Sequence, residues 1–179
     1  VWLGNWADQG FWELDPITGK IKRWVYLGVN PYGAVIDSRG ILWASHSCCS
    51  NGKMKALNTS DETVNLGSFT LAPGEVSSLI TQSWSDRGNY GITIDNQNRV
   101  WQASYGRESW AAARYDPQTG TWEKAYTNGG ASAGMGRGVT ADTAGRVWVA
   151  QHGGWDNGRL TAYDASSMEI VYDKYLGSS

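Results

Sequence analysis

The stretch that decides the fold is residues 138–164, GVTADTAGRVWVAQHGGWDNGRLTAYD, because other parts of the chain repeat it. Aligned on Gly138, the repeats are GAVIDSRGILW from Gly33 and GITIDNQNRVW from Gly91, and in all three the tryptophan lies ten residues after the glycine. A fourth copy opens the chain: it keeps Trp2 but lacks the glycine strand that should precede it. The chain is therefore organised as an array of repeats.

Each copy predicts four short strands, named a to d in chain order. Strand a ends in an aspartate that caps the next turn by bonding backbone amides two residues on, and the tryptophan lies in strand b. The turn between a and b is short enough to make them an antiparallel hairpin. Strand c ends in turns such as Asp-Pro-x-Thr-Gly, in which Pro presets φ and Gly takes the left-handed position. In the second copy this grammar predicts strand d at 62–66, followed by a long connection.

Composition supports short strands and tight turns. The chain has 11 Trp, 9 Tyr and 23 Gly among 179 residues, and no convincing amphipathic helix pattern. The net charge of -2 and the scattered basic residues argue against a nucleic-acid groove. No apolar run approaches the length of a membrane span.

Repeats of about 40 to 50 residues with four strands each are typical of propeller blades. We therefore predict an all-β protein, a β-propeller of four-stranded antiparallel blades with about three and three-quarter blades present, forming part of a six- or seven-bladed ring. The alternative is a self-closed four-bladed ring. The predicted single domain, 1–179, divides into a partial blade 1 (1–27), blade 2 (31–66, with a long loop 67–89), blade 3 (90–127) and blade 4 (137–176).

The pattern Gly-x-x-x-Asp-x-x-Gly-x-Val-Trp, followed by Tyr-Asp-Pro-x-Thr-Gly-x-Trp, resembles the blades of bacterial streptogramin-lyase-like and NHL-type β-propellers. Residues 116–122 are also similar to kelch repeats, but the kelch double glycine is missing at the end of strand b. The resemblance implies the fold. It also suggests the activity of streptogramin lyases, which use a histidine base, a glutamate and a divalent cation, but their catalytic motif has no residue-by-residue match here.

The long b-to-c and d-to-a loops emerge on one face, which we predict to carry the site; the other face has only short turns. The candidate catalytic residues there are His46, His152 and Glu108. The alternative is that the histidines bond neighbouring loop backbone and the carboxylate is a solvated charge. Aromatic and charged loop residues are the candidate ligand-binding set: Trp6, Tyr105, Arg107, Trp110, Trp155 and Asp156.

Cys48 and Cys49 are adjacent in one of these loops. Their Cα atoms lie about 3.8 Å apart, below the usual disulfide range, so a bond between them would be strained and easily reduced. Such vicinal disulfides occur in some quinoprotein propellers. Two reduced thiols, or pairing with cysteines of another chain, are the alternatives.

The function we predict is a binding or interaction domain whose loop face meets a small molecule or carbohydrate, or a protein chain that completes the ring. The alternative is a lyase or hydrolase resembling streptogramin B lyase, with a loop-face histidine base and a divalent cation, Mg or Ca. No metal ligands are assigned, and neither nucleic acid nor a membrane span is expected. We expect an extracellular, periplasmic or cell-surface bacterial protein.

Overall fold

The computed structural model describes residues 1–46, 52–82, 89–104, 109–128, 136–152 and 158–177. Every regular element in these ranges is a β-strand, as the composition predicts. None of the described residues forms a helix that could cross a membrane.

The strands form a three-stranded sheet, three four-stranded antiparallel sheets and a two-stranded sheet, and the first four are described here as blades 1 to 4. Blade 1 consists of β1 (Trp2–Asn5), β2 (Gly10–Leu14) and β3 (Ile21–Tyr26). Blade 2 begins with β4 (Pro31–Ile36), β5 (Ile41–His46) and β6 (Lys53–Asn58), and β7 (Val64–Asn65), β8 (Thr70–Leu71) and β9 (Ile80–Thr81) follow. Blade 3 consists of β10 (Asn89–Ile94), β11 (Val100–Ser104), β12 (Trp110–Asp116) and β13 (Thr121–Tyr126). Blade 4 consists of β14 (Gly136–Ala141), β15 (Arg146–His152), β16 (Gly158–Asp164) and β17 (Ile170–Gly177).

The outer strand of blade 2 differs from the prediction. Residues 62–66 do not pair with β6; instead β9 does, and the amides of Asn58 and Ser77 join β6 to the segment before β9. Between them β7 and β8 form a separate hairpin. The Asn58 side chain fixes the two ends of this hairpin by donating to the carbonyls of Glu62 and Leu71, at 2.7 and 3.0 Å. The prediction of strand d at 62–66 is therefore wrong.

The predicted aspartate caps are present in all three complete blades and also reach the tryptophan. In blade 3, Oδ1 of Asp95 accepts from the amides of Gln97 and Arg99, and Oδ2 accepts from the Trp101 indole at 2.9 Å. Asp37 and Asp142 repeat this arrangement with their own tryptophans. Because the aspartate and the tryptophan have the same spacing in each copy, this hydrogen bond links the a-to-b turn to the core of each blade.

Adjacent blades pack through these tryptophans. Trp43 contacts Tyr115 of the next blade at a centroid distance of 6.0 Å, and Trp101 contacts Tyr163 at 6.3 Å. Both indoles are fully buried. Trp2 and Trp148 occupy the same strand position in the outermost blades and are only half-buried. No described blade follows Trp148, and the blade of Trp2 has three strands and no inner strand, so full burial of this residue requires both a complete blade and a following one.

Candidate functional site

The inner strands of blades 2, 3 and 4 begin in the same way at the loop face. Each has a register irregularity at its first residues, so the pairing with strand b shifts before the repeat glycine. The residue immediately before that glycine is large in every blade: Tyr32, Tyr90 or Arg137. Since the inner strands of neighbouring blades lie side by side, these residues meet across the blade boundaries.

Together with Trp6 from the first loop they form a continuous surface, here named the mouth ladder (Trp6, Tyr32, Tyr90 and Arg137). The Trp6 ring contacts Tyr32 edge-on at 6.2 Å, and Tyr32 contacts Tyr90 edge-on at 4.7 Å. The Arg137 guanidinium carbon lies 4.4 Å from the centroid of the Tyr90 ring. Trp6 and Tyr32 are 48% and 47% exposed. The ladder therefore presents aromatic rings to solvent while fixing them against one another.

Asn30 and His46 support the start of the ladder from behind. The backbone amide of Asn30 donates to Nδ1 of His46 at 2.9 Å, and the Asn30 side-chain amide donates to the Trp6 carbonyl at 2.8 Å. Burial, followed by the positive charge of Lys53, lowers the pKa of the His46 imidazole below its ordinary value. Because the Asn30 amide donates to Nδ1, that nitrogen carries no proton and the ring proton is on Nε2. Its only lone pair is used by Asn30, so this geometry favours the alternative in which His46 shapes its loop over that of a general base.

A buried carboxamide cluster (Gln82, Asn89 and Gln102) lies at the start of the blade 3 inner strand. Oε1 of Gln102 accepts from Gln82 at 3.3 Å and from Asn89 at 2.5 Å. All three side chains are buried, and Gly52 packs so closely on Gln82 that a β-carbon there would lie 2.5 Å from the carboxamide carbon. Asn89 directly precedes Tyr90, so the cluster anchors the backbone that carries the centre of the mouth ladder.

The structure separates the sequence-predicted site residues into three groups. Trp6 and His46 lie together at the mouth, and His152 is exposed at the end of β15. Trp110 is the first residue of β12, with 2% of its surface exposed, so its placement in a loop was wrong and it is not an accessible platform. The remaining candidates lie outside the described residues: Tyr105, Arg107, Glu108, Trp155, Asp156, Cys48 and Cys49.

Three members of the mouth ladder were missed in the sequence, although a signal for them exists. Aligning the copies on their glycine shows a large side chain at the preceding position each time, while the positions two and three residues after the glycine are apolar or Thr. The residues that the copies share specify the blade. The residue directly before the shared glycine instead contributes its side chain to the mouth ladder.

The ladder offers aromatic faces and edges and one guanidinium, which together suit a ring-shaped ligand with polar substituents. Within the described ranges no group of three His, Cys, Asp or Glu side chains lies close enough to hold a metal ion.

No protein-family model matches this sequence, and no curated protein matches it. Solved structures do match. A streptogramin B lyase superimposes with a TM-score of 0.69 at 15% identity, over 98% of this chain and 50% of that one. Hydrazine synthase of Kuenenia stuttgartiensis gives 0.69 at 14% identity, over 98% and 46%, and an auxiliary nutrient binding protein from Bacteroides ovatus gives 0.62 at 11%, over 95% and 37%.

This chain is a β-propeller segment. The resemblance to streptogramin-lyase propellers predicted from the repeats is thus confirmed in three dimensions. At these identities the likeness shows the fold alone. The propeller segment spans half or less of the length of each of the three proteins.

Proposed function

We propose that this propeller segment binds a small ligand with a flat or ring-shaped face, such as a carbohydrate, on the mouth ladder. The single observation that carries the proposal is the pair Trp6 and Tyr32, each about half exposed yet held in edge-on contact at the centre-facing end of adjacent blades. Contiguous exposed aromatic surface is typical of interaction sites, and rigid rings lose little entropy on binding.

Arg137 supports a ligand that also carries an acceptor or a negative charge. Its guanidinium stacks on Tyr90, which orients the planar group at the far end of the ladder. The contribution of Arg137 to the proposal is its positive charge at the end of the ladder, since the guanidinium also has another interaction within the protein. The ligand class that fits both ends is a sugar ring with a carboxylate or several hydroxyl groups.

The experiment is a glycan array of neutral and uronic-acid oligosaccharides, together with a library of aromatic carboxylates, probed with the labelled 179-residue chain. The strongest hit is then measured by titration calorimetry. We expect Trp6→Ala and Tyr32→Ala each to weaken binding at least about tenfold, because each removes a stacking face at the centre of the contact. Tyr126→Ala, an exposed tyrosine on an outer strand, is the matched control and should bind like the unaltered protein. Binding by neither panel, or equal binding by all variants, overturns the proposal.

The lyase or hydrolase alternative remains a prediction. It needs a base and a carboxylate at the mouth, and Glu108 lies outside the described residues. The same calorimetric titration with Mg²⁺ and Ca²⁺ tests the divalent cation, and His152→Ala tests the remaining histidine. A location outside the cytoplasm likewise stays a proposal.

A further inference from the structure

At the start of β4 a titratable side chain acts in place of a backbone group. Pro31 is the first residue of β4 and pairs in register with His46, the last residue of β5. Proline has no amide hydrogen, so it cannot donate a backbone hydrogen bond. The amide of the preceding residue, Asn30, donates instead to Nδ1 of His46 at 2.9 Å. The imidazole therefore holds the chain at this end of blade 2.

The equivalent positions of the other complete blades carry no such group. Asn89 pairs with Ser104 in blade 3, and Gly136 pairs with Gln151 in blade 4. Both first residues have an amide hydrogen, and serine and glutamine do not change their charge between about pH 5 and pH 8, where histidine does. A pH-dependent contact at this position is therefore specific to blade 2.

Asn30 connects the imidazole to the mouth ladder. Its side-chain amide donates to the Trp6 carbonyl at 2.8 Å, and its backbone leads through Pro31 into Tyr32. The rings of Trp6 and Tyr32 are in edge-on contact at 6.2 Å. One residue thus fixes the backbone of both exposed rings, and its own backbone is held by His46.

The groups around the imidazole oppose its protonation. Burial, followed by the positive charge of Lys53 on β6, holds the pKa of His46 below its ordinary value of 6.5. Lys55 lies two residues further along the same face of β6, where it adds positive and not negative charge. The blade 1 loop carries Asp8, which is hydrogen-bonded within that loop, and β4 carries Tyr32. Among the described residues no carboxylate raises this pKa.

Protonation removes the acceptor on which Asn30 depends. The imidazolium has a hydrogen on both nitrogens, so the Asn30 amide then faces a second donor and loses its partner. The folded arrangement binds this proton less readily than a released one, because its pKa is the lower of the two. Acid therefore favours release, beginning as the pH falls through the ordinary histidine value and levelling off below the lowered one.

We propose that His46 is a pH-sensitive positioning residue of the mouth ladder. In its neutral form it holds Asn30 and so fixes Trp6 and Tyr32, and its protonation frees them. The ladder then binds its ligand at neutral pH and loses it in mildly acidic solution. Loss of a ligand rests on the function proposed above, whereas the movement of the ladder does not.

Two-dimensional NMR of the isotope-labelled 179-residue protein without ligand, titrated from about pH 8 to about pH 4.5, tests the movement. We expect the signals of the Asn30 amide and the Trp6 indole to shift with the same midpoint as the His46 imidazole. In His46→Asn the carboxamide oxygen takes the place of Nδ1 and does not titrate, so both shifts should disappear.

Lys53→Gln is the matched variant that leaves the Asn30–His46 hydrogen bond in place. It removes a positive charge beside the imidazole, so the common midpoint should move to higher pH. Failure of His46 to titrate in this range overturns the inference. So do a His46 titration that leaves Asn30 and Trp6 unmoved, and shifts that persist in His46→Asn.

Calorimetry with the strongest ligand of the array, at pH 7.5 and pH 5, tests the effect on binding. We expect affinity at least about fivefold lower at pH 5, which corresponds to the loss of one hydrogen bond. In His46→Asn the ratio of the two affinities should be close to one, which separates this effect from titration of the ligand itself. Equal pH dependence in both proteins overturns pH-controlled binding. If nothing on the array binds, the proposed function fails, and the NMR titration alone decides whether His46 moves the ladder.

Discussion

At Asp95 one carboxylate holds the start of a blade. It accepts four hydrogen bonds, from two backbone amides, the Arg99 guanidinium and the Trp101 indole. Arg99 in turn donates to the Ala165 carbonyl of the next blade at 2.7 Å. Asp142 has the same partners within its own blade, but its Arg146 is exposed because no described blade follows. The same sequence motif therefore contributes differently to the stability of the protein at the two positions.

We expect Asp95→Asn to lower the free energy of unfolding by about 3 kcal/mol, since it leaves the buried Arg99 cation without its counter-charge. The matched change Asp142→Asn should cost clearly less, because solvent compensates its arginine. Urea unfolding of both variants at pH 7 measures the difference. Equal losses would show that the neighbouring blade does not matter to this motif.

Among the elements, the hairpin of β7 and β8 is the one that departs from the repeat. It seals the junction between blades 2 and 3: Leu66 and Leu71 are buried in its core, and Phe69 contacts Trp43 edge-on at 6.4 Å. The Ser68 hydroxyl donates to the Pro117 carbonyl of blade 3 at 2.6 Å. An insertion that looks like a loop in the sequence is therefore part of the core.

If the hairpin is structural, Leu66→Ala should lower the free energy of unfolding by about 3 kcal/mol through lost burial and the cavity that remains. Leu79→Ala, in the exposed segment that leads into β9, removes the same atoms and should change it by less than about 0.5 kcal/mol. Chemical denaturation compares the two. A small effect of Leu66→Ala would mean that the hairpin packs only loosely.

At the scale of the whole molecule, the blades approach one another through their inner-strand glycines. A β-carbon at Gly91 would lie 2.9 Å from the Val139 amide nitrogen and 3.0 Å from the Arg137 carbonyl oxygen, both backbone atoms of the next blade. At Gly138 the nearest atom would be the Ala150 β-carbon at 3.7 Å, an ordinary contact. The glycine that defines the repeat is thus required by the neighbouring blade.

Accordingly, Gly91→Ala should destabilise the protein by about 2 kcal/mol, because backbone of two blades must move apart. Gly138→Ala should be tolerated within about 0.5 kcal/mol in the 179-residue chain. Thermal and urea unfolding of both variants give the comparison, and titration of the mouth ligand shows whether the shifted inner strand disturbs the ladder. Equal destabilisation would contradict this account of the glycine.

By itself, the sequence determined the strand order, the turns and the tryptophan core, because these follow from local patterns repeated at Gly33, Gly91 and Gly138. The tertiary structure alone decided which segment closes blade 2: β9 pairs with Lys53 and Met54 of β6, whereas Val64 and Asn65 pair within the separate β7–β8 hairpin. It likewise buried Trp110 and brought Trp6, Tyr32, Tyr90 and Arg137 together. Contacts between blades join residues from 26 positions apart, as in Trp6 and Tyr32, to 72 positions apart, as in Trp43 and Tyr115, so no local rule reveals them, although the repeat marks the places where they meet.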